Sequence, residues 1–155
     1  MLINPESIAE STASNYPPEF RNFVKGRSRK RLGKAAGLNN FGVNLVTLQP
    51  KSYSSIRHWH QKQDEFIYVL EGEITLITNN RKQLLKKGDC AGFPAGENNG
   101  HHLLNESNSI ARYLEIGDRT SGDMVNYPDV DLVAKDSDTG WMFTHKDGSD
   151  YTPAE

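Results

Sequence analysis

Cysteine is nearly absent from this chain of 155 residues, with Cys90 standing alone. One thiol cannot form an intramolecular disulfide, so packing must hold the fold, and a reducing compartment is the simplest setting. Long apolar runs are missing too. The longest extends from Phe66 to Leu70, far short of the ~20 residues that a membrane-spanning helix needs. The first twenty positions show no basic head followed by an apolar stretch, so no secretory leader is expected and a soluble cytoplasmic protein is. An excess of one charge is also lacking. Eighteen Lys and Arg against 20 Asp and Glu give a net charge of −2, which names no class of charged partner, and neither nucleic acid nor membrane is expected as one. The hydrophobic share is a lean 35% while glycine is plentiful, which suits short strands and tight turns better than a helical bundle. At this length one domain spanning residues 1–155, with a real core, is expected.

What is present is a succession of short β-forming runs. Phe41–Leu48, Ser54–His60, Glu65–Glu71, Ile74–Thr78, Gln83–Leu85, Cys90–Phe93, His101–Leu104 and Ile110–Ile116 read as strands separated by turn residues. Asn79-Asn80 predicts a two-residue hairpin turn, because asparagine tolerates positive φ. This density of strands predicts an all-β barrel or sandwich, with its core over about residues 40–117. Residues 1–26 form a polar N-terminal arm with one helical turn near Glu19–Val24. Residues 118–155 form a C-terminal extension whose Tyr127, Trp141, Phe143 and Tyr151 should dock on the barrel or on a second subunit, since exposing them would be costly.

Four of the five histidines fall in two short stretches. The first reads His58-Trp59-His60, then Glu65, then Gly72. The second reads Gly88, Pro94-Ala95-Gly96, His101 and Asn105. Two imidazoles one residue apart on a strand share a face. A carboxylate just past the polar turn Gln61–Asp64 can return to that face from the next strand, and a third imidazole from a later hairpin completes a set of nitrogen and oxygen donors. Such a set suits a divalent transition metal. It does not choose among iron, manganese, nickel, zinc and copper.

These two stretches resemble the paired motifs of the cupin superfamily. His58, His60, Glu65 and Gly72 match the first motif, whose opening glycine is replaced here by Ser52. Gly88, Pro94, Gly96, His101 and Asn105 match the second, with four residues instead of two between Gly96 and His101. The resemblance implies an antiparallel double-stranded β-helix, or jelly-roll barrel, with a metal inside held by His58, His60, Glu65 and His101. Adjacent strand residues point to opposite faces, so only one of His101 and His102 can face the ion. His101 keeps the motif's offset to Asn105, and His102 is then expected outward or at a subunit contact. The resemblance also implies pairing into a homodimer.

An octahedral ion on four protein donors keeps two open positions, as a catalytic metal needs. The expected function is therefore that of a metal-dependent enzyme on a small polar organic substrate, dioxygenase-like. An isomerase or decarboxylase acting on a hydroxy or keto acid, or a non-catalytic small-molecule sensor, would use the same site. Arg57 and Trp59 should face away from the histidines. Tyr113 and Glu115 read as ordinary barrel surface, and Cys90 as a buried small hydrophobe. The basic run Lys25–Lys34 lacks interleaved aromatics and reads as a solvated face, or as a partner for the acidic tail of another subunit.

Overall fold

The computed structural model describes residues 2–151. Twelve strands occur among them: β1 (Arg27–Lys30), β2 (Phe41–Leu48), β3 (Trp59–His60), β4 (Glu65–Glu71), β5 (Glu73–Ile77), β6 (Lys82–Lys86), β7 (Cys90–Phe93), β8 (His102–Leu104), β9 (Ala111–Asp118), β10 (Met124–Tyr127), β11 (Leu132–Ser137) and β12 (Gly140–Thr144). Two short helices, α1 (Pro18–Arg21) and α2 (Leu32–Ala35), flank β1. The expected helical turn near Glu19–Val24 is thus present, continued by a 3₁₀ turn over Asn22–Val24.

The strands form three antiparallel sheets, in the orders β1-β2-β9-β4-β7, β6-β5-β8 and β12-β11-β10-β3. Together they make the jelly roll. Period-two patterning decides which residues fill it. Val46 and Leu48 of β2, Ile67 and Val69 of β4, Ile74 and Leu76 of β5, Leu103 of β8, and Ala111 and Tyr113 of β9 form one buried cluster. A second cluster joins the N-terminal arm to the last three strands: Tyr16, Val24 and Ile56 pack with Val125, Tyr127, Leu132 and Ala134. Tyr16 meets Tyr127 and Phe143 edge-on, at 5.9 and 5.8 Å between ring centres. The aromatics of the extension therefore dock within their own chain. The arm does so as well, since Ser11 and Arg29 exchange two backbone hydrogen bonds of 2.9 Å along the free edge of β1.

Three local expectations are corrected. Ser54–His60 is a strand only at Trp59–His60, with isolated bridges from Tyr53 to Leu104 and from His58 to His101. The Ser54 hydroxyl accepts from the Leu103 amide at 2.9 Å, so a side chain interrupts the regular ladder. The Asn79-Asn80 turn closes with Thr78 N–H donating to Arg81 O, but neither asparagine has positive φ; Lys51 is the only described non-glycine residue that does. Asn79 instead ties down the neighbouring loop, its side-chain amide donating to Asn98 O at 3.0 Å and its backbone amide to Asn99 Oδ1 at 3.1 Å. Cys90 is exposed, because β7 is an edge strand and Cys90 points outward from it.

Two glycines explain the motif ends. Gly72 has φ of 72°, and a Cβ there would lie 2.7 Å from the Ile110 carbonyl oxygen, so no other residue fits without backbone movement. The replacement of the first motif's opening glycine by Ser52 has a counterpart at Gly26. A Cβ on Gly26 would lie 1.7 Å from Ser52 Oγ, so the serine side chain occupies the space that the glycine leaves open.

Candidate metal centre

Backbone pairing brings the histidines to one face. His58 and His101 are directly opposite and exchange two hydrogen bonds, His58 N–H to His101 O at 3.1 Å and His101 N–H to His58 O at 2.8 Å. Directly opposed residues of an antiparallel pair project to the same side. His60 lies two positions on from His58 and shares that side, and the first residue of β4 brings in Glu65. His102 points the other way. It is buried rather than outward, with Nδ1 3.1 Å from Ser55 O and its ring against Tyr53 and Phe23. The expectation of an outward His102 fails because the N-terminal arm covers that face with Phe23.

Glu65 Oε2 stands 2.9 Å from His101 Nε2, 3.4 Å from His58 Nε2 and 3.5 Å from His60 Nε2. Donors at neighbouring corners of a metal polyhedron with bonds of about 2.1 Å lie roughly 3 Å apart, so this spacing fits an ion. His58, His60 and Glu65 make the compact trio, their donor atoms all within 4.8 Å of one another, and His101 adjoins it through Glu65.

The far nitrogens are the second part of the fit. His58 Nδ1 lies 2.9 Å from Ile56 O, and His60 Nδ1 lies 2.5 Å from Asp123 Oδ2. An N–H at each Nδ1 leaves the Nε2 lone pair free for a cation, the arrangement seen around ligating imidazoles. His101 Nδ1 is buried without a partner, while its ring stacks on Phe93 at 3.6 Å.

Charge follows from these contacts. Burial opposes ionisation of Glu65, but hydrogen bonds from His101 and His58 and the positive field of the imidazoles outweigh it and hold its carboxyl well below the usual range. Burial pulls His60 down; the Asp123 hydrogen bond and the Glu65 charge reverse this and leave its pKa raised. Burial pulls His101 down and outweighs the hydrogen bond to Glu65. Asp123 itself is lowered against its burial by His60 and by the Lys62 amide, which donates at 2.7 Å.

The cluster opens on a cavity of about 430 Å³, whose walls include Arg27, Arg29, Arg31, Asn44 and Glu115. Along β2, β9 and β4 the inward residues change from apolar to polar. Val46 and Tyr113 belong to the core, Asn44 and Glu115 line the cavity, and Gly42 and Gly117 leave room beside Glu65. The basic run is therefore only in part a solvated face: alternation on β1 turns Arg27 and Arg29 inward, Arg31 borders the cavity from an exposed position, and Lys25 and Lys34 stay exposed. Tyr113 is fully buried and Glu115 faces the cavity, so neither is ordinary surface. Arg57 does turn away from the histidines and pairs with Asp129 through two bonds of 2.7 and 2.6 Å.

Sequence reasoning missed Asp123, Asn44 and the arginines. Asp123 has no local signal; the pairing of β10 with β3 brings it to His60. The arginines did have one, the alternation Arg-Ser-Arg-Lys-Arg over residues 27–31. Asn105, the last residue of the second motif, is fully buried but does not touch the cluster. Its side chain donates to Leu48 O and Ser109 O at 3.0 and 2.8 Å and closes the turn before β9.

A double-stranded β-helix with His58, His60 and Glu65 gathered inside it, and His101 beside Glu65, defines the class: a jelly-roll barrel with a candidate metal centre. The Cupin domain family model matches residues 44–117. A solved structure from Silicibacter pomeroyi, described as a sugar phosphate isomerase from a cupin superfamily, is 42% identical over 98% of this chain and 97% of that one, with a TM-score of 0.94. The chain belongs to the cupin superfamily. A structure from Acidithiobacillus ferrooxidans, provisionally described as a sugar phosphate isomerase, is 29% identical over 84% of each chain, with a TM-score of 0.74. The polyketide cyclase RemF of Streptomyces resistomycificus shares the fold at 19% identity, over 76% of this chain and 78% of that one, with a TM-score of 0.63. No curated protein sequence matches the chain. No helix among the described residues is long and apolar enough to cross a membrane.

Proposed function

We propose that this protein is a metal-dependent isomerase of a small phosphorylated sugar. The observation that carries the reading is the histidine–carboxylate cluster at the wall of a polar cavity, in a chain 42% identical, nearly end to end, to a protein described as a sugar phosphate isomerase. His58, His60, Glu65 and His101 would hold a divalent transition ion. When bound, such an ion supplies a Lewis acid that polarises a carbonyl or hydroxyl oxygen of the substrate.

The chain's own residues supply the rest. Interconverting an aldose and a ketose through an enediol needs a group that takes a proton from one carbon and returns it to the next, while a second proton passes from the hydroxyl oxygen of the first carbon to the carbonyl oxygen of its neighbour. Glu115 fits this role. It accepts from Asn44 Nδ2 at 2.9 Å and lies inside the cavity on a barrel strand. The other carboxylates there are tied to backbone amides: Asp118 accepts from Asp64 and Thr120, and Asp136 from Gly122. Asn44 orients Glu115, and the Gly42–Gly117 row leaves space for the sugar. The dioxygenase and sensor readings share the metal centre, but neither gives the inward carboxylate of Glu115 a proton to move.

The experiment is proton exchange by NMR in heavy water, using a panel of aldose and ketose phosphates and protein reconstituted with manganese, iron, nickel or zinc. Interconversion with label at the carbon beside the carbonyl supports the isomerase. Oxygen uptake on diketones without interconversion would replace it with the dioxygenase, and tight binding without turnover would replace it with the sensor. Pairing of two copies belongs to the same reading. The outer face of the five-stranded sheet carries Val43, Leu45, Leu114 and Ile116, with Phe66 and Tyr68 each 40% exposed, and such a patch favours association.

A further inference from the structure

We infer that Arg27 and Arg29 of β1, with Arg31 just beyond it, form an anion subsite that grips the phosphate monoester of the substrate, with Arg29 as its centre. This rests on the isomerase reading for the identity of the substrate, but the subsite itself stands on the residues.

Alternation on β1 sends Ser28 and Lys30 outward, where they hydrogen-bond Glu10 and the Pro5 carbonyl of the arm. Arg27, Arg29 and Arg31 line the cavity that also holds His58, His60 and Glu65. The three differ in what they have left to give. Arg27 is buried, and its Nη1 donates to Ser54 O at 2.5 Å, so part of its guanidinium is committed to the fold. Arg31 is exposed at the mouth. Arg29 lies between them, and its Nε is buried without any hydrogen-bond partner. Its contact with Glu115 Oε2 is 3.7 Å, an ion pair beyond hydrogen-bond reach. A buried charged donor left without an acceptor is expensive, so the site calls for an anion with several oxygens.

A phosphate monoester meets that need. It carries about −1.5 to −2 charge and three acceptor oxygens, and guanidinium groups match such oxygens in pairs. A carboxylate offers one charge and two oxygens, which leaves part of an arginine row unused. The arm's own backbone bonds to Arg29 fix β1 in register, so the guanidinium is presented from a strand held on both sides. Cluster and arginines are separate walls of one cavity. Phosphate on the second wall holds the polyol end of the sugar toward the first.

The test is titration of inorganic phosphate into the full-length protein by calorimetry, as purified and again after chelation, with acetate as the comparison anion. Phosphate should bind in both states and more tightly than acetate. Arg29→Gln should weaken phosphate binding about 10- to 100-fold, Arg29→Lys should restore part of it, and metal content should not change in either. Arg31→Gln, at an exposed position where folding is safe, should weaken it several-fold. Phosphate binding that disappears on chelation, or that survives both glutamine variants, overturns the subsite. If the variants lose phosphate but no sugar phosphate is isomerised, the subsite stands and the isomerase reading falls. If sugar phosphates are isomerised with an unchanged KM in Arg29→Gln and Arg31→Gln, the subsite falls and the isomerase stands.

Discussion

The two walls of the cavity are built on opposite plans. One wall gathers His58, His60 and Glu65 into a compact group, with His101 joining it behind Glu65: three imidazole nitrogens lie 2.9 to 3.5 Å from one oxygen of Glu65. The other takes three side chains from five consecutive residues and spreads them along β1 and the residue that follows it. Convergence selects a small ion of fixed coordination. Spreading selects an extended anion and tolerates its movement. The difference also sets how each wall fails. Loss of a donor from a convergent set damages the whole, whereas loss from a row weakens it by degrees.

That contrast can be broken most directly at the cluster. Replacing His58 or His60 by alanine should abolish metal retention by elemental analysis; full metal content in either variant would remove the cluster from the reading. The next largest effect is expected at Glu115. Glu115→Gln should keep the metal and cut isomerisation by about 10²- to 10⁴-fold, and an unchanged rate would assign the proton transfer elsewhere. Asp123→Asn should weaken metal affinity about 10- to 100-fold, because His60 loses the carboxylate that fixes its ring, and a competition titration against a chelator measures this. Gly26→Ala, just ahead of the arginine row, should destabilise the fold by about 1–3 kcal/mol through overlap with Ser52, and Ser52→Gly should recover most of it; denaturant unfolding of the double variant decides. The smallest effect on the metal is expected from His102→Ala. It should keep its full metal content, and loss there in place of His101 would mean that the register is wrong.

Legibility in the sequence follows the same division. Runs of β-forming residues bounded by turn residues made the strands over 41–48, 65–71 and 90–93 readable. The cluster was legible because its residues recur at fixed spacings around tight turns. His101 could be preferred over His102 by spacing, and the direct pairing of His58 with His101 gives the physical reason for that preference. The arginine wall was written in the chain as strict alternation, yet it was masked by the neighbouring Lys25, Lys30 and Lys34, which make the run resemble a solvated face. Glu115 and Tyr113 were unreadable, because which face of β9 looks inward depends on pairing with β2 and β4. Asp123 depends on a strand pair closed across sixty residues, and no local pattern announces that.

The Asp123 carboxylate that accepts from His60, and the β10 strand that delivers it, come from beyond the segment matched by the cupin family model. A nascent chain released from the ribosome only as far as residue 118 would already contain all four proposed donors, but His60 would lack both its strand neighbour and its carboxylate. Under the proposed metal centre, ion affinity should therefore rise once the last strands have emerged, and a chain cut short of Asp123 should hold an ion less tightly than the full chain.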